Sequence, residues 1–313
     1  MRLRRDEPIE VKSPAQLAIM REAGLVTAAA LRAAAAAAEP GVSTAELDAI
    51  AEREIRSAGA LSSFKGYHGY PATICTSVND QIVHGIPNRA QVLAAGDVLS
   101  IDCGAIVRGW HGDSALTIIV GQVPASAPYG RDELDALLRT CEQALWQGLA
   151  QAVPGRRLTD ISHAVEQSVR AAGRYGIIRE YTGHGIGSKM HMDPAVPNFG
   201  RAGRGPVLSS GMALAIEPML VLGGHQTRQL DDGWTVVTAD GSWAAHFEHT
   251  VAITDDGPVV LTAEDGGASG FAAQASGSLA GQAVLAGQAG LAGQAVLAGP
   301  QGAASTAGAH DGI

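Results

Sequence analysis

Asp102, Asp113, His184, Glu217 and Glu248 are four acids and one imidazole set in apolar or glycine-rich surroundings. Their contexts are VLSIDCG, GWHGDSALTIIVG, YTGHGIG, MALAIEP and AAHFEHTVAIT. Such runs read as buried segments, where a lone carboxylate costs several kcal/mol unless a partner or a metal neutralises it. Hard oxygen donors with one imidazole suit Mn, Fe, Co or Zn and resemble no thiolate zinc site. Together they are a ready ligand set for two divalent cations about 3.5–4 Å apart, with positions left for water. The chemistry such a pair supplies is hydrolysis by water that loses its proton near neutral pH. His84 in QIVHGIP and His191 in KMHMDP sit by Gly/Pro-containing loops near these segments, as donors for a developing oxyanion or a scissile amide.

The elements that must position these groups repeat along the chain. Ser13-Pro14 opens a helix through about Ala38, Pro40-Gly41 ends it, and Ser43 or Thr44 caps a second helix to about Ala58. Short β-rich runs follow, then two longer ones that meet at Arg108-Gly109, a hairpin turn that brings Asp102 and Asp113 to within a residue or two of register. Two acids facing each other across apolar strands repel without a cation. After Pro128 the scheme recurs, with helices over about 131–152 and 158–172 and further β segments. The helix breaks share a pattern, EPGVSTAELDAIAE against VPGRRLTDISHAVE. Two helix-helix-strand halves of one plan follow, each placing two of the acids, with the site at their seam.

Composition bounds the rest. A net charge of −9 over 313 residues argues against a DNA-binding or membrane-surface protein. The basic cluster Arg2, Arg4 and Arg5 reads as a solvated tail and leaves a ribosome contact open. Three scattered cysteines give neither a zinc knuckle nor a disulfide framework. No signal peptide and no spanning apolar run is read, so the expectation is a soluble, cytoplasmic protein. GxSxG, HExxH and Walker A motifs are all missing. The chain divides into a flexible tail over 1–12, a domain over 13–263 and an Ala/Gly/Gln-rich tail over 264–313, in which LAGQAVLAG recurs from Leu279 and Leu291. That last composition opposes packing and is expected to be disordered.

CTSVNDQIVHGIP, SIDCGAIVRGWHGDSALT, GHGIGSKMHMDP, LAIEPML and FEHTVAIT, in this order over about residues 13–263, together resemble the type I methionine aminopeptidases of the M24 pita-bread metallopeptidases. The resemblance implies an α+β fold of two pseudo-symmetric ααββ halves around a dinuclear metal site. It implies that Asp102 chelates one ion, Asp113 and Glu248 bridge both, and His184 and Glu217 complete the second. Glu217 would also take the proton from the nucleophilic water. His191 would stabilise the tetrahedral intermediate, and His84 would contact the substrate amide. Tyr67, Tyr70, Cys75 and Trp234 match positions lining the methionine pocket, an environment suited to a flexible thioether. Met190 stands where relatives often carry an aromatic residue.

The implied reaction is removal of the initiator methionine from nascent polypeptides whose second residue is small, by a monomer. Prolidases and aminopeptidases P share the fold and similar ligands but usually carry a substantial N-terminal domain, and only about 60 residues precede the first β segment here. A binding module with a dead cleft is the rival from another class, and such modules typically lose metal ligands that this chain keeps.

Overall fold

The computed structural model describes residues 9–276; the expectations for 1–8 and 277–313 lie outside the described residues. Helix α1 spans Pro14–Ala36. At its start the Ser13 Oγ accepts the Gln16 N–H at 3.3 Å and the Gln16 side chain accepts the Ser13 N–H at 2.8 Å, so two donors that a helix leaves orphaned are satisfied. Helices α2 (Thr44–Ser57), α3 (Arg131–Leu149) and α4 (Leu158–Ala172) lie close to their expected bounds.

The internal repeat is written in the backbone. Before α2, Gly41 (φ +94°) donates to the Leu93 carbonyl at 2.8 Å, and Leu93 donates back to Val42 at 2.9 Å. Before α4, Gly155 (φ +85°) donates to the Leu208 carbonyl at 2.9 Å, and Leu208 donates back to Arg156 at 2.8 Å. Both turns need the left-handed region that glycine enters at no steric cost. Both helices then open on an acid that accepts the cap N–H, Glu46 from Ser43 and Asp160 from Arg157, each at 2.9 Å.

A nine-stranded sheet joins the halves. Val98–Val107 and Trp110–Ile119 form a hairpin closed by Arg108 and Gly109, both at positive φ (49° and 82°). The Trp110–Ile119 strand also pairs with Glu248–Thr254, which pairs with Ala213–Ile216, then Gly183–Gly185 and Met192–Val196. All these pairings are antiparallel. Period-two alternation sends one set of side chains to the helices. Leu99, Ile101 and Cys103 pack in a core with Leu31, Ala34, Leu47 and Ile55 of α1 and α2. Leu214, Ile216, Val251 and Ile253 pack with Leu137, Leu145, Ile161 and Val165 of α3 and α4. The alternate residues, Asp102 and Glu248 among them, turn to the opposite face.

The ends of the described region differ from expectation. Residues 9–12 were expected in the flexible tail, yet Lys12 is 5% exposed and its N–H donates to the Gly211 carbonyl at 2.7 Å. Glu10 accepts from Ser188 Oγ at 2.5 Å and pairs with the Lys12 ammonium at 3.4 Å, which anchors the segment. At the other end Ala268–Ser276 form a helix, α5, inside the stretch expected to be disordered. The Phe271 ring meets the Trp146 indole edge-on at 5.3 Å, and Gly270 is buried against the same indole with no room for a side chain. The Arg21 guanidinium ties the preceding turn to α1 by donating to the carbonyls of Val260, Leu261, Ala263 and Glu264. Composition alone hides these anchors, because each depends on a partner far away in sequence.

Candidate metal centre

Strand register gathers the acids. Asp102 lies opposite Ala115, and Asp113 opposite Gly104, a two-residue offset that keeps both on one face. Across the seam Glu248 also lies opposite Ala115, so Asp102, Ala115 and Glu248 form one row, with Cys75 next to Asp102. In the adjoining row the Asp113 N–H donates to Thr250 Oγ1 at 3.0 Å and the Thr250 hydroxyl donates to the Asp113 carbonyl at 2.7 Å. Thr250 is opposite Ala215, and Ala215 is opposite His184. Glu217 follows directly on the Ala213–Ile216 strand.

Asp113, His184 and Glu248 each offer a ligand atom within 4.8 Å of the other two. His184 Nε2 lies 3.5 Å from Glu217 Oε1 and 4.0 Å from Asp113 Oδ2. The His184 Nδ1 is 2.9 Å from the Gly185 carbonyl; an N–H donated there leaves the Nε2 lone pair pointing at the acids. Asp102 Oδ1, Asp113 Oδ1 and Glu248 Oε1 are buried with no hydrogen-bond partner. Buried carboxylate oxygens are almost always satisfied, so three such atoms in one cluster fit a divalent cation.

The electrostatics agree. Burial pushes the Asp113 carboxyl up to about 7. Burial first, then the neighbouring acids, raises Asp102, Glu217 and Glu248 well above the usual carboxylate range. Burial brings the His184 imidazole down to about 3, which keeps it neutral as a metal ligand must be. Without a cation this cluster holds protons that a cation would displace.

A cavity of about 270 Å³ opens onto the acids and is lined also by Tyr67, Tyr70, Cys75, His84, His191 and Trp234. All eleven residues singled out from the sequence therefore reach one cavity. One wall is a separate apolar cluster of Phe64, Tyr70, Ala72, Cys75 and Met190, with Tyr67 and Trp234 packed against it. Tyr70 is fixed by its hydroxyl, 3.0 Å from the Ile74 and Gly85 carbonyls, and meets Trp234 edge-on at 5.0 Å. Cys75 is fully buried and its thiol pushed well up by burial, so it packs as a small apolar group. His84 sits at φ 61° beside Tyr181, its imidazole brought down to about 4 by burial. His191 stands at the exposed end, its ring 4.3 Å from that of His184 and its Nδ1 2.9 Å from the Tyr67 hydroxyl.

Sequence reasoning missed three contributions. Phe64 lies in a segment without a motif. The bond from Tyr67 to His191 joins residues 124 apart. His246 is fully buried, with Nε2 3.7 Å from Glu217 Oε2 and 4.0 Å from Glu248 Oε2. Its place two residues before Glu248 was the available signal.

Residues 18–255 match metallopeptidase family M24. The chain is 56% identical over 266 residues to methionine aminopeptidase 1 of Mycobacterium tuberculosis, covering 83% of this chain and 97% of that one. It is 48% identical to methionine aminopeptidase 1 of Bacillus subtilis, covering 80% and 98%. The crystal structure of methionine aminopeptidase from Thermotoga maritima superposes with a TM-score of 0.78 at 39% identity, over 82% of this chain and all of that one.

Proposed function

The chain belongs to metallopeptidase family M24, and from that membership we infer that it removes the N-terminal methionine from peptides in a metal-dependent hydrolysis. It has the pita-bread fold of that family. The observation that carries the reading is a cluster of buried carboxylates with unpartnered oxygens beside an apolar pocket of Phe64, Tyr70, Cys75 and Met190. An unbranched thioether side chain suits that pocket, which is soft, polarizable and free of unmet hydrogen-bond demands.

In our reading Asp102, Asp113, His184, Glu217 and Glu248 hold two divalent cations, of Co, Mn, Fe or Zn. When bound, such ions lower the pKa of water to the neutral range and polarise the scissile carbonyl. The chain's own residues do the rest. Glu217, 13% exposed and lining the cavity, takes the proton of the attacking water and passes it to the leaving amine. His191 donates Nε2–H to the oxyanion, with Nδ1 committed to the Tyr67 hydroxyl. His84 contacts the substrate amide from its fixed position beside Tyr181 and Trp234. In this reading the second residue of the substrate is small.

The catalytic domain spans 9–263, with the 9–12 segment anchored through Glu10 and Lys12 and α5 packed on its flank. The substrates are nascent polypeptide N-termini met at the ribosome, and the protein acts as a cytoplasmic monomer. Among the described residues no helix is long and apolar enough to cross a membrane.

The test is hydrolysis of Met-Gly-Met-Met, a Met-Leu peptide and a Gly-Pro peptide by metal-stripped protein with Co(II) or Mn(II) restored. Metal-dependent release of methionine from the first alone is expected. Cleavage of the Gly-Pro peptide instead would make it a prolidase-type enzyme. Silence on all three with metal bound would make it a binding module.

A further inference from the structure

His246 touches the acid cluster and has no part in the reaction set out above. Its Nε2 lies 3.7 Å from Glu217 Oε2 and 4.0 Å from Glu248 Oε2 and has no hydrogen-bond partner. The residue is 1% exposed and forms no part of the cavity wall, so it meets the two glutamates from behind. On the cavity side, Glu217 turns Oε1 toward His184 Nε2 at 3.5 Å, and Glu248 Oε1 is buried without a partner. Each glutamate thus shows one oxygen to His246 and keeps the other for the centre.

The backbone fixes where that ring stands. The His246 N–H donates to Thr117 Oγ1 at 2.9 Å, and its carbonyl accepts from the Thr117 hydroxyl at 2.7 Å. On its other side His246 pairs with Met219, two residues beyond Glu217. The His246 backbone is therefore held between the strand that carries Asp113 and the strand that begins two residues after Glu217, with Glu248 two residues further along the chain.

We propose that His246 is a positioning residue whose Nε2–H holds the rear oxygens of Glu217 and Glu248, so that one front oxygen of each is aimed at a divalent cation. Both separations lie just beyond hydrogen-bond length, and a small side-chain rotation closes either one. The terminal torsion of Glu is broad, so a carboxylate held only by its stem samples orientations in which its front oxygen misses the ion. Carboxylates that bind metals are generally themselves hydrogen-bonded, and losing such a partner costs about 10–100-fold in metal affinity.

This inference rests on the cluster holding divalent cations, and wild-type binding of Co(II) tests that premise separately. Calorimetry of metal-stripped protein with Co(II) is expected to show binding about 10–100-fold weaker in His246→Leu. His246→Gln, which keeps an N–H donor of similar reach, is expected to restore affinity to within a few-fold, with a Co(II) absorption spectrum superimposing on wild type. Should His246→Leu not fold, His246→Asn, whose shorter arm misses both carboxylates, is expected to show the same loss. Wild-type affinity in His246→Leu or His246→Asn would overturn the proposal, as would a Gln variant as weak as either. A displaced Co(II) band in the Gln variant would also overturn it, by showing the imidazole bound to the ion directly. Failure of the wild type itself to bind Co(II) would overturn both the metal centre and this role.

Discussion

The Tyr67 hydroxyl lies 2.9 Å from Nδ1 of His191, with the two rings tilted by 49° at 5.3 Å. A hydroxyl donated to Nδ1 leaves the ring proton on Nε2, the tautomer that can serve an oxyanion in the cavity. Tyr67 was marked from the sequence as a pocket wall, and the structure gives it a second task. Tyr67→Phe keeps the ring and removes the bond, which is worth about 0.5–1.5 kcal/mol. We expect kcat to fall about 3–10-fold with KM and Tm nearly unchanged, read by steady-state kinetics on Met-Gly-Met-Met. An unchanged kcat would show that His191 needs no such orientation.

Glu248→Ala removes a carboxylate with a buried, unpartnered oxygen from the middle of the cluster. Turnover should fall below detection, and metal retained after dialysis should drop sharply, as measured by atomic emission. A fully active variant would remove Glu248 from the ligand set.

In the metal-free protein the contribution of Asp113 to stability, read as the difference from Asp113→Asn, should fall as pH rises from about 4 to 7. The Asp113 carboxyl is raised in the fold from 3.8 to about 7, chiefly by burial. The folded state therefore holds a proton that the unfolded state gives up earlier, so its contribution is full below pH 3.8 and lost as pH climbs through 7. Bound cations take the proton's place, so the decline should flatten on adding Mn(II). Melting curves of stripped wild type and Asp113→Asn across this range test it, and a difference between them that stays constant with pH would contradict it.

Gly24 of α1 meets Gly112 of the facing strand backbone to backbone, and a methyl at Gly24 would run into the Leu261 carbonyl. Gly24→Ala should cost about 1–3 kcal/mol through overpacking. Denaturant unfolding should show the loss, while activity per folded molecule stays at the wild-type level.

A chain ending at Ala263 lacks the α5 contact between Phe271 and Trp146. Against a chain ending at Ser276 it should be less stable by about 1–2 kcal/mol, or about 2–4 °C in Tm per kcal/mol. Equal melting temperatures would mean that α5 adds nothing to the fold.

What the sequence by itself determined was local or periodic. Ser13-Pro14 and the two Pro-Gly breaks set helix bounds because caps and positive-φ turns are chosen by residues a few positions apart. Asp102 and Asp113 were legible as a pair because one hairpin turn fixes their register. The five candidate ligands stood out because carboxylates and an imidazole are costly in apolar surroundings wherever the chain places them. Tertiary structure alone decided what depends on distant partners. It brought His246 behind Glu217 and Glu248, Phe64 into the pocket wall, and Tyr67 onto His191. It also made a helix of 268–276, where Gly270 and Phe271 find the Trp146 indole. Composition says what a residue costs to bury, but only packing brings the partner that offsets the cost.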